Sequence, residues 1–85
     1  MPLFLDVHNG AFGVTAEALA EGHRKDVAVQ ERYGVRYLKY WYDPVSGKVF
    51  CLSDAPSKEA ALAVHREAHG DAGMPDDIFE VQEGA

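Results

Sequence analysis

Leu3 to His8 alternates side by side, with Leu3, Leu5 and Val7 on one face and Phe4, Asp6 and His8 on the other. That is strand period with one apolar and one mixed face, and Asn9-Gly10 breaks it. The period then lengthens. Thr15 has the chemistry of an N-cap, Glu17 suits the first turn, and the pattern predicts a helix running to about Tyr33, where Gly34 supplies a stop. At 100° per residue the inward arc holds Ala16, Leu19, Ala20, His23, Val27 and Gln30, flanked by Asp26 and Tyr33. Val35 to Asp43 is aromatic and β-branched and reads as a strand, Asp43-Pro44-Val45-Ser46-Gly47-Lys48 as a hairpin turn, and Lys48 to Ser53 or Asp54 as the returning strand. Ser57 caps a second helix that Gly70 closes; a Gly/Asp/Pro loop from Asp71 to Asp76 leads to a last strand from Asp77 to Glu83.

The predicted order is βαββαβ. With right-handed crossovers it gives an α+β, ferredoxin-like fold: an antiparallel sheet in spatial order 4-1-3-2 with both helices on one face. A chain of 85 residues suffices for a single domain, residues 1–85, and not for two cores. Phe4 and several aromatics of the second strand cannot all point toward the helices, so the opposite face is expected to need cover, and a homodimer is the expected form.

Composition narrows the partners. Eight basic against 14 acidic residues give a formal net charge of −6, which repels phosphate backbones and anionic lipid, so neither nucleic acid nor membrane is an expected partner. The only cysteine, Cys51, excludes an intrachain disulfide, and Met1 to Asp6 has no basic segment of the kind that opens a signal peptide; a cytoplasmic location is expected.

The candidate chemistry lies in the histidines. His65 and His69 stand four apart on a helix, one above the other, where two imidazoles can chelate one metal ion. They can equally be exposed polar residues at the favourable end of a helix dipole. His23, two turns into the first helix, can stand at the depth of His65, or it can be a core histidine bonded to Asp26 or Gln30. Asp6 and His8 project from the mixed face of the first strand, where Cys51 or Glu80 can approach to complete an oxygen, nitrogen and sulfur donor set. Cys51, among Val49, Phe50 and Leu52, can also be an inert small hydrophobe. The chain holds no Gly-rich phosphate loop, no CxxC motif and no Ser-His-Asp order.

Taken together, Met1-Pro2-Leu3-Phe4-Leu5-Asp6-Val7-His8, Gly22 to Gln30, Gly34 to Trp41, Lys48 to Leu52 and Ala55-Pro56-Ser57 with His65 to Gly70 resemble the DUF4242 family of small bacterial proteins, over nearly the whole chain. The resemblance implies a ferredoxin-like homodimer that binds nickel, or another divalent transition metal, for sequestration or buffering rather than for catalysis. The positions that match the family's polar motif are His23, Asp26, Gln30, Cys51, His65 and His69. The expected metal residues are His65 and His69 first, with His23, His8 and Cys51 beside them. The alternative is a small cofactor-independent enzyme, or a binder of a small organic molecule, with a polar pocket between sheet and helices lined also by Asp26 and Gln30.

Overall fold

The computed structural model covers residues 1–85. Its elements are β1 (Leu3–His8), α1 (Ala16–Val29), β2 (Arg36–Asp43), β3 (Lys48–Asp54), α2 (Lys58–His69) and β4 (Asp77–Val81). The four strands form one sheet in the order β2-β3-β1-β4, antiparallel at every pairing. This is the predicted order viewed from the other edge. Local chemistry sets the boundaries. Thr15 Oγ1 accepts from Ala18 N and Ser57 Oγ accepts from Ala60 N, each 3.1 Å away, which satisfies a free amide at the start of each helix.

Three boundaries differ from expectation. The last residues of the first predicted helix, Gln30–Tyr33, tighten into a 3-10 turn before Gly34 reverses the chain at φ 68°. β2 starts one residue later than predicted, and β4 ends at Val81. A bulge in β2 falls between Tyr37 and Lys39, so the alternation of that strand changes parity there.

Register assigns the faces. Phe4 pairs with Ser53, Asp6 with Cys51 and His8 with Val49; on β2 the matching partners are Tyr37, Tyr40 and Tyr42. These residues turn toward the helices, because Phe4 and Tyr37 share a core with Val35, Ala55, Ala61 and Val64. Phe4 therefore belongs to the helix-covered face, and of the second-strand aromatics it is Trp41 that turns away from the helices. The wholly apolar side of β1, with Leu3 and Leu5, looks away from the helices together with Leu52, Phe50 and Trp41.

The inward arc of α1 is likewise rotated from its predicted position. Asp26 is buried, while Ala16 and Val27 are exposed. Of the 13 buried residues, Asp6, Asp26, Ser53 and His65 are polar. Buried polar groups of this kind require partners, and three of the four partner one another.

Candidate metal centre

The centre forms around His65. α2 turns Ala61, Val64 and His65 inward together, and the imidazole reaches across the interior with only 2% of its side chain exposed. Its Nδ1 lies 2.9 Å from Asp26 Oδ1 on α1, and its Nε2 lies 3.0 Å from Asp6 Oδ2 on β1. With a carboxylate at each nitrogen, the doubly protonated ring donates both hydrogen bonds.

Each carboxylate reaches one imidazole more. Asp6 Oδ1 lies 3.1 Å from His8 Nε2, and Asp26 Oδ1 lies 3.0 Å from His69 Nε2. The Tyr37 hydroxyl stands 3.3 Å from Asp6 Oδ2 and 3.1 Å from the carbonyl of Ala61, and its ring stacks on His65 with centroids 4.9 Å apart.

The electrostatics follow from these contacts. Burial opposes the charge on His65, but the hydrogen bonds to Asp26 and Asp6, reinforced by Cys51, outweigh it and push the pKa up to about 12. Burial opposes the charge on His8 as well, and Asp6 and then Cys51 raise it to about 9. For Asp6, burial favours the neutral acid, yet the hydrogen bonds from His65 and His8 hold its pKa below the ordinary 3.8. Burial, and then the charges of Asp6 and Asp26, push the Tyr37 phenol well above its usual range.

Two donor sets share the His65 ring. The ligand atoms of Asp6, His8, Cys51 and His65 lie within 4.8 Å of one another, as do those of Asp26, His65 and His69. The strand cluster and the helix cluster, separate in the sequence reading, thus meet at one imidazole.

His65 and His69 are not an exposed chelate: His65 is buried, and only His69, with 21% of its side chain exposed, reaches solvent. His23 belongs to neither donor set. It packs on Tyr40 at a centroid distance of 5.3 Å and lines a cavity of about 320 Å³ together with His8, Asp26, Cys51, His65 and His69.

Gln30, expected in the polar lining, instead accepts from Tyr37 N at 2.8 Å and anchors the start of β2. Glu80 pairs with Phe4, one row away from Asp6, and is exposed. Sequence reasoning missed Tyr37 and Tyr40. The odd spacing between them gives an alternating strand no reason to turn both inward, and only the bulge does so.

The profile of the SCO4226-like nickel-responsive proteins matches residues 4–81. The chain belongs to that family. A solved relative, SCO4226 from Streptomyces coelicolor A3(2), is 40% identical with a TM-score of 0.90, over 98% of this chain and 99% of the relative. No curated protein matches the sequence. The family's description agrees with the nickel-associated resemblance read from the sequence, and the solved relative with the ferredoxin-like fold.

Proposed function

We propose that the protein binds nickel, or a similar divalent transition metal, and holds it for sequestration or buffering without chemical turnover. The supporting observation is the convergence of Asp6, His8, Cys51 and His65 to within 4.8 Å. The set combines carboxylate, imidazole and thiol, and imidazole and thiolate suit late first-row metals better than magnesium or calcium. Asp26 and His69 stand behind His65 as further donors or as the carboxylate that orients its ring. To accept a metal, His8 and His65 must release protons that the carboxylates now stabilise.

The test is calorimetric titration of chelator-treated protein with nickel, cobalt, copper and zinc, beside the variants His8→Ala and Cys51→Ser. Nickel binding that weakens in both variants, with a thiolate charge-transfer band that Cys51→Ser abolishes, is the expected result. Unchanged binding in both variants sinks this placement.

We further propose a cytoplasmic homodimer joined through the open sheet face. Leu38, Trp41 and Phe79 are 43%, 48% and 53% exposed there, and apolar residues in such numbers on a small domain favour cover. Sedimentation at tens of micromolar that finds only a 9.3 kDa species contradicts the dimer.

A further inference from the structure

The cavity beside the histidines has walls for which metal binding has no use. Its volume, about 320 Å³, is at the small end of the range for organic-ligand sites. Ala18, Leu19 and Val14 give it an apolar wall from α1 and the segment before it, and Val49 adds to this from the sheet. The tilted rings of His23 and Tyr40 give it an aromatic wall, a surface on which a flat ring packs well.

Charge decides what kind of molecule fits. No lysine or arginine lines the cavity, so a carboxylate or phosphate meets no cation that is not already paired. Asp6 is engaged by His8 and His65, and Asp26 by His65 and His69, so an amine meets no free carboxylate. His23 and Tyr40 make no side-chain hydrogen bond within the chain, which leaves an imidazole and a hydroxyl available to a ligand's polar atom.

We propose that this cavity binds a small uncharged organic molecule with one planar apolar ring and a hydroxyl or carbonyl group, a phenol in the simplest case, independently of any metal. The ring lies against Ala18 and Leu19, and the polar atom reaches Tyr40 or His23.

The experiment titrates chelator-treated full-length protein with p-cresol and follows amide proton–nitrogen correlation spectra. Saturable shifts confined to the amides of Ala18, Gly22, Tyr40 and Val49 are expected, with benzoate and benzylamine binding roughly tenfold more weakly because their charges are buried unpaired. Ala18→Phe and, as a second variant outside the helix, Val14→Phe narrow the cavity from its apolar wall and leave the Asp6, His8, Cys51 and His65 donors unsubstituted. Each should keep a folded spectrum and its nickel affinity while losing cresol affinity by roughly tenfold or more. Cresol shifts that persist in both folded variants, or benzoate binding more tightly than cresol, overturn the proposal and leave the nickel reading untouched.

Discussion

His65 on α2 meets Asp26 on α1 at 2.9 Å in the interior, and this ion pair, with the contact of His69 to the same Asp26 oxygen at 3.0 Å, joins the two helices. Replacing Asp26 by Ala leaves a buried imidazolium with one carboxylate instead of two. Breaking a buried pair from one side costs about 3 kcal/mol, so Asp26→Ala should lower the urea midpoint by that equivalent. A loss of under about 1 kcal/mol in urea titrations would show that the contact is not a strong one.

His65 and His69 should respond differently to removal. His65→Ala takes the buried partner from both Asp6 and Asp26 and leaves each with only its outer imidazole, at a cost of about 4 kcal/mol. His69 is at the cavity edge, and His69→Ala should cost about 1 kcal/mol or less. Paired thermal melts check this, and equal losses would contradict the burial difference between the two rings.

Stability should depend on pH through His8 and Asp6. The folded His8 pKa of about 9 lies above its ordinary 6.5, so its contribution is complete below 6.5 and is lost as pH rises through 9. Asp6 is shifted down, so its contribution is present above 3.8 and is lost as pH falls through its folded pKa. The raised His65 pKa adds a second loss that begins at the same ordinary 6.5 and runs on to about 12. Unfolding free energy should therefore be greatest between about pH 4 and 6.5 and fall by at least about 3 kcal/mol by pH 9. A His8→Gln variant should roughly halve the slope between pH 6.5 and 9, leaving the part that His65 carries, and an unchanged slope would exclude His8 as a source.

Metal binding should show the opposite trend. Nickel must displace the protons of His8 and His65, so affinity should rise about tenfold per pH unit for each proton released and go on rising through pH 9 rather than levelling near the ordinary histidine pKa. Calorimetry in two buffers of different ionisation enthalpy counts those protons. A plateau already reached at pH 7 would place the metal on unpaired histidines.

Element order, both helix caps, the hairpin and the sheet order were legible in the sequence, because each rests on local period or on a residue with a local role, such as Thr15, Ser57 or Gly34. The inside of the molecule was less legible. Alternation sorts Leu3, Leu5 and Val7 from Phe4, Asp6 and His8 but does not say which row faces the helices, and here the polar row does. The position of Asp26 inward and Val27 outward depends on a partner 39 residues away in the chain. No helical periodicity contains that information, and the i, i+4 spacing of His65 and His69 looked the same whether or not one ring was buried.

The extra residue in β2 also governs how the chain tolerates editing. Leu38 is the residue left without a partner in the ladder, so its loss would return β2 to plain alternation, with Tyr37 and Tyr40 still turned toward the histidines and Lys39 and Trp41 still outward. A single-codon deletion at the bulge would therefore spare the aromatic wall. Homologous chains of differing length should vary at this bulge as well as in the Asp43–Lys48 turn and the Asn9–Val14 segment, and keep both tyrosines on the inner face.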